Sequence, residues 1–258
     1  MGYNKKEPEK EQRAYVIGRN AVSELLKSGR AIDKIFIRRD GRGTSLSVIA
    51  SEALTRGIPL IETDMKKLDE MTGGQLHQGV VASAAAVEYA TIDDMFALAE
   101  SRDEKPLLLI ADGIEDPQNL GAMIRCAEIA GAHGLILPKR RASGLTETVE
   151  RASAGALEHV PIARVPNLAS AVEELKEKGL WIYAVEVGGS PYYETDLRSP
   201  AALILGSEGN GVSHLLLERS DFRVSIPMYG QVNSLNVSAA SAVILCEAAR
   251  QRHGGKTV

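Results

Sequence analysis

Over the first ninety positions, apolar residues come in short runs separated by polar segments of helical period, the alternation expected of strands and amphipathic helices. Residues 15–17, 32–38, 60–61 and 79–87 read as strands. Between them helices are expected at 21–27, capped by Asn20 and ended by Gly29, and at 46–56, stopped by Gly57 and Pro59. A third runs from a capping Asp64 through 71. From residue 106 the pattern strengthens. Leu107, Leu108, Leu109 and Ile110 form an unbroken apolar run, as in a parallel strand buried on both faces. Further strands are predicted at 134–137, 161–165, 180–187, 201–205 and 222–226, and helices at 120–130, 146–157, 168–178 and 235–250. Residues 88–105 hold one amphipathic helix (Ile92, Met95, Phe96, Ala99) and a charged tail, and read as a junction. The predicted class is α/β: a charged tail (1–12), a small α/β domain (13–90), a linker (91–105), and a larger domain (106–258) built on a parallel sheet covered on both faces.

Composition narrows the function classes only modestly. The 258 residues are 44% hydrophobic and 25% charged, ordinary for a globular chain and enough for two cores. Apolar stretches are too short to cross a bilayer, and the first dozen residues lack the apolar core of a secretory signal. The expectation is a cytoplasmic protein with no membrane partner. Two cysteines and five scattered histidines offer no metal-ligand spacing, so no metal is expected, and Cys126 and Cys246 read as reduced core thiols. The net charge of −4 argues against a generally basic coat for nucleic acid. Its distribution is uneven, however. Residues 13–90 carry eleven Lys/Arg against nine Asp/Glu, whereas 91–258 carry 16 against 22. That asymmetry permits an RNA-facing first domain.

Neither the G-x-G-x-x-G fingerprint nor the Walker pattern follows any predicted strand, which disfavours an ordinary dinucleotide or P-loop enzyme. Three other segments, each just past a strand, carry polar groups that a core does not need. The first is DGIEDPQNLGAMIR (112–125), in which Asn119 is placed to cap a helix and Arg125 lies in an apolar run that demands an acid or a phosphate as partner. A capped helix with an internal Arg–Glu pair explains this segment equally well. The second is LILGSEGNGV (203–212), three glycines around one acid, suited to close approach of a ligand; a tight strand–helix loop has the same composition. The third is IPMYGQVNSLNVSAAS (226–241), with more capping groups than one helix start can use. For Ser238 and Ser241 a packing role is the plain alternative.

Taken in order, N-x-G-x-x-x-R, G-x-E-G-x-G and I-P-M-x-G-x-x-x-S-L-N-V-S-x-A resemble the three motifs of the SpoU/TrmH family of RNA ribose methyltransferases. The resemblance covers about residues 106–252, and 13–90, with His77-Gln78-Gly79-Val80, resembles the L30e-like substrate-binding domain common in that family. It implies a trefoil-knotted C-terminal domain, a homodimer, and transfer of a methyl group from S-adenosylmethionine to a ribose 2′-hydroxyl in RNA. The pattern is most similar to the 23S ribosomal RNA guanosine enzymes; transfer RNA is the alternative substrate. By the same resemblance Leu205, Gly206, Ile226, Met228 and Leu235 hold the cofactor. Arg125, Asn119, Glu208, Ser234 and Asn236 serve the reaction, with Glu208 fixing Asn119 or Arg125 and motif 1 facing the partner's cofactor pocket. A guanidinium stays protonated, so Arg125 is expected to clamp phosphate and stabilise an alkoxide, not to act as base. Arg38, Arg39 and Arg42 of the first domain and Lys139, Arg140 and Arg141 of the second are expected to meet RNA, although a solvated basic face explains each run as well. Two rival readings stand: a non-catalytic RNA-binding assembly factor with this fold, and an enzyme using another adenine nucleotide.

Overall fold

The computed structural model describes residues 13–39, 44–85, 87–232 and 234–254. The chain divides into two compact units between Glu88 and Tyr89. The first holds strands β1 (Arg13–Ile17), β2 (Ile32–Arg38), β3 (Leu60–Thr63) and β4 (Val80–Ala85), and helices α1 (Arg19–Ser28), α2 (Thr44–Thr55) and α3 (Met65–Thr72). Its sheet runs β1-β4-β2-β3, with β4 antiparallel to both neighbours and β3 parallel to β2. Val22, Leu25, Leu46 and Ile49 from α1 and α2 pack on Ile35, Val80 and Ala82, while Leu68 of α3 meets Ile17 and Val81 on the other face. Asn20 is not the cap expected of it. Helix α1 starts at Arg19 behind Gly18, and the orphan N–H of Arg19 donates to Gln78 Oε1 at 3.0 Å. The loop entering β4 thus satisfies that donor in place of a local side chain.

The second unit contains β5 (Leu107–Asp112), β6 (Gly134–Pro138), β7 (Ile162–Val165), β8 (Trp181–Pro191), β9 (Ala201–Gly206) and β10 (Phe222–Ser225). Its helices are α4 (Ile92–Ser101), α5 (Pro117–Ile129), α6 (Glu147–Ala152), α7 (Leu168–Glu177), α8 (His214–Arg219) and α9 (Val237–His253). The strands form one parallel sheet in the order β10-β8-β9-β5-β6-β7, as the alternation predicted. Along the central strands alternate residues face opposite sides. Leu108, Ile110, Ala202 and Ile204 pack with α4, α7 and α8, and the other face takes α5, α6 and α9.

Two expectations need correction. Residues 91–105 are not a linker: α4, held by a Thr91–Asp94 capping box, buries Ile92 and Met95 in the core of the second unit. The helix predicted at 146–157 ends at Ala152, because Ala154 and Gly155 turn left-handed (φ 53° and 97°) before a short 3₁₀ turn.

Helix α5 lies against α6 without room for a side chain at Gly121, where an added Cβ would stand 2.4 Å from Ala152 Cβ and 2.8 Å from the Val149 carbonyl oxygen. Ordinarily Ala is the better helix former by about 1 kcal/mol, but backbone overlap cannot relax that cheaply. Gly121→Ala is expected to lower unfolding free energy by about 2 kcal/mol in urea titration; a gain in stability would show that the helices are free to separate.

His133, 1% exposed, supplies a second test. Its Nδ1 accepts from the Leu107 N–H at 3.1 Å and its Nε2 lies 2.9 Å from Glu104 Oε2, which fits the neutral Nε2–H tautomer. Burial holds its pKa below the ordinary value, with Glu104 opposing. Below a pH of about 6.5 the unfolded chain therefore takes up a proton that the folded chain refuses, and stability falls as pH drops. His133→Gln is expected to flatten the decline in urea-measured stability over this range; an unchanged slope would rule His133 out as its source.

Candidate active site

In an open parallel sheet, ligands sit beyond the carboxyl ends of the strands, where successive connections diverge. Here that point lies between β5 and β9, whose last residues, Asp112 and Gly206, are paired. The chain leaving β9 doubles back sharply. Gly211 N donates to the Ser207 carbonyl at 2.8 Å, and a Cβ on Gly206 would lie 2.0 Å from the backbone of Gly211. Gly211 itself has φ 64°, and its Cβ would meet Glu186 Oε2 at 2.4 Å. Only glycine fits either position. Carboxylates on the two flanking strands pin the loop through backbone donors: Val212 N–H reaches Glu186 Oε2 at 3.0 Å and Ser213 N–H reaches Asp112 Oδ2 at 2.8 Å.

Three predicted site residues meet on this loop. Asn119 Nδ2 donates to Glu208 Oε1 at 3.2 Å, and Asn236 Nδ2 donates to Asn119 Oδ1 at 2.9 Å and also to Glu208 Oε1. Asn236 is at the same time the N-cap of α9, its Oδ1 accepting from Ser238 N at 2.9 Å. Asn119 caps nothing. Asp116 takes the cap of α5 and Pro117 its first position, which places Asn119 inside the first turn with its amide free to cross to Glu208. Arg125 stands apart from the three. Six residues beyond Asn119, it projects about 240° around the helix. It is exposed and makes no hydrogen bond or ion pair among the described residues, so the alternative of an internal Arg–Glu pair does not form. Cys126, on the Asn119 side of the helix, is half-buried against α9, and burial pushes its thiol pKa up. Cys246 is exposed and not a core thiol.

Beside the cluster opens a cavity of about 410 Å³. Leu205, Gly206, Ile226, Met228 and Leu235 all line it, as do Glu208 and Ser234. Sequence reasoning missed Glu186 and its neighbours. They enter because β8 runs on beside β9, where Val185 pairs with Leu205, so that Glu186 comes level with the loop that leaves Gly206; no local pattern announces this. Of the six basic candidates, Lys139, Arg140 and Arg141 are exposed at the end of β6, and the latter two rim a neighbouring cavity. Arg39 is exposed, Arg38 is half-buried against Gly79, and Arg42 lies outside the described residues. Among the described residues no group of three or more His, Cys, Asp or Glu could hold a metal ion, and no helix is long and apolar enough to cross a membrane.

The double duty of Asn236 can be separated by substitution. Asn236→Ala is expected to cost about 1 kcal/mol of stability, the usual loss on removing a cap, whereas Asn236→Ser keeps a capping oxygen and recovers most of it without restoring the amide contacts. Equal melting losses for the two variants would show that the cap is not what Asn236 contributes to folding.

Residues 106–246 match the family described as the SpoU rRNA Methylase family, and residues 15–90 match RNA 2′-O ribose methyltransferase substrate binding. A TrmH family tRNA/rRNA methyltransferase of Bacillus subtilis (strain 168), YacO, is 45% identical over 94% of this chain and 98% of its own. Among solved structures, the SpoU methyltransferase AviRb from Streptomyces viridochromogenes in complex with AdoMet superimposes with a TM-score of 0.76 at 25% identity, covering 95% of this chain and 92% of that one. An AdoMet-bound rRNA methyltransferase from Sinorhizobium meliloti gives 0.75 at 26% identity, covering 95% and 88%. With both units matched in order, the second and third motif loops lining one cavity and the first tied to it through Asn119 and Glu208, the chain belongs to the SpoU/TrmH family of RNA 2′-O-ribose methyltransferases.

Proposed function

We propose that this protein methylates the ribose 2′-hydroxyl of a guanosine in 23S ribosomal RNA, with S-adenosylmethionine in the cavity beside Glu208. One observation carries the choice of donor. Among the described residues the cavity is lined by two carboxylates, Glu186 and Glu208, and by no Lys or Arg. That suits a donor carrying positive charge and repels the phosphates of other adenine nucleotides. Its volume of about 410 Å³ and its mixed lining, with Leu205, Ile226, Met228 and Leu235 on the apolar side and the peptide groups of the 206–211 loop on the other, fit an amphipathic ligand of that size. When bound, S-adenosylmethionine supplies an electrophilic methyl group on a sulfonium. The protein's part is to orient the acceptor oxygen and stabilise its developing charge. Asn119 and Asn236 hold the Glu208 carboxylate, and with it the wall of the cavity, in place. Arg125, exposed and without a partner among the described residues, is the group available to meet the acceptor's phosphate or oxyanion.

Arg125 does so at the cavity of a second subunit. In support, apolar side chains stand in water at Ile129 on α5, at 66% exposure, and in the segment before α9 at Leu235, 39%, and Tyr229, 91%. The same reading takes the path after β10 as knotted: β10 lies at the sheet edge beside β8, yet α9 returns to pack on α5. Ribosomal in preference to transfer RNA is favoured because the Sinorhizobium meliloti protein, whose match extends over both units, is an rRNA methyltransferase. The protein is read as cytoplasmic and independent of metal.

Purified protein with radiolabelled S-adenosylmethionine is expected to label ribosomal RNA from cells lacking the gene, at one guanosine 2′-oxygen in 23S RNA, and to leave wild-type RNA unlabelled. Label confined to transfer RNA would move the substrate; label on a base would end the ribose assignment. Shared sites make a sharper prediction. Arg125→Ala and Glu208→Ala are each expected to be inactive, and a re-equilibrated equal mixture to recover about one quarter of wild-type turnover, since half the dimers then carry one intact site. No recovery would place Arg125 in its own chain's site.

A further inference from the structure

A second cavity, of about 540 Å³, opens on the other side of the loop that walls the first. Ser207, Asn210 and Gly211 line both, so only the thickness of that loop separates them. The two differ in chemistry. Among the described residues the first has carboxylates and no cation, whereas the second is rimmed by Arg140 and Arg141 and also lined by Glu115 and Asp112. Its floor is apolar, formed by Leu168, Leu216 and the half-exposed Leu215.

The charged groups here are not spent on one another. Asp112 gives one oxygen to Ser213 N. Glu115, Arg140, Arg141 and Asn210 make no hydrogen bond or ion pair among the described residues. Arg141 also sits at φ 57°, a conformation disfavoured for a residue with a side chain and typical of places where an external group is met. A flat ligand could rest on the leucines, present N–H donors to a carboxylate at one edge and offer acceptors to guanidinium groups at another. Guanine is the nucleobase of that description: N1–H and N2–H₂ suit a carboxylate, and O6 with N7 suits an arginine fork. Adenine carries an acceptor at N1, where a carboxylate would repel it.

We infer that this second cavity receives the guanine base of the RNA nucleotide presented for methylation, with Glu115 reading its N–H edge and Arg140 and Arg141 its acceptor edge. The inference rests on the function proposed above and supplies the physical origin of its guanosine preference. RNA enzymes that choose a base splay it out of the stack and read it on such edges. The position is right for this, because a base held here lies one loop away from the donor cavity.

Guanosine 5′-monophosphate serves as the probe, titrated into protein saturated with S-adenosylhomocysteine and followed by NMR of the protein. Tighter binding than adenosine 5′-monophosphate, by about tenfold or more, is expected, with shifted signals in 112–115, 138–141 and 207–216. Glu115→Gln should abolish that preference while S-adenosylhomocysteine binds as in wild type. Ribosomal RNA from cells lacking the gene should displace the nucleotide, which separates a base-reading pocket from a site for free guanine nucleotides. Equal binding of the two nucleotides, a preference that survives Glu115→Gln, or a nucleotide retained alongside RNA would each overturn the inference. The function proposed above fails separately, by absence of ribose methylation.

Discussion

A single carboxylate oxygen holds the site together. Glu208 Oε1 receives amide N–H groups from both Asn119 and Asn236, and Asn236 closes the triangle by donating to Asn119. These residues lie 89 and 28 positions from Glu208, on the first turn of α5 and at the start of α9. Hydrogen bonds to an ionised group are stronger than neutral ones, and this one joins α5 to the loop after β9 and the start of α9, both of which line the cavity. Behind it, Asp112 and Glu186 fasten the loop after β9 through the N–H groups of Ser213 and Val212.

Close approach is the second constraint. The loop folds back so tightly that Gly206 touches the backbone of Gly211, which brings peptide groups rather than side chains to the cavity wall. Backbone groups held in a stiff turn can bind a nucleoside without losing side-chain entropy. The far end of the second unit is fastened in a comparable way. Arg252, near the end of α9, donates to the carbonyl oxygens of Leu197 at 2.9 Å and Lys105 at 2.7 Å, tying the last helix to the approaches of β9 and β5. Helix α9 is therefore fixed at both ends, which keeps its capping asparagine in register with Glu208.

Much of this was legible in the sequence, for identifiable reasons. The run Leu107–Ile110 is apolar on both faces because helices cover both, and the three motif loops stand out because their polar residues lie where a core needs none. Asn119 meets Glu208 and Asn236 but is not a cap, since Asp116-Pro117 begins the helix three residues earlier. Arg125 has apolar neighbours in sequence, yet a helix turns it away from them into water, where it makes no hydrogen bond or ion pair among the described residues. Glu186 carries no local signal at all. Its role appears only when β8, paired with β9, brings it against Gly211. The amphipathic pattern of 92–99 was visible, but what its apolar face would cover is a tertiary fact.

The central claim is that three loops distant in sequence form one pocket for the methyl donor. Hydrogen–deuterium exchange with and without S-adenosylhomocysteine tests it most directly. Protection is expected in 185–187, 205–212 and 226–240 together, with the first unit unchanged; protection in only one of these segments, or its appearance elsewhere, would contradict the account.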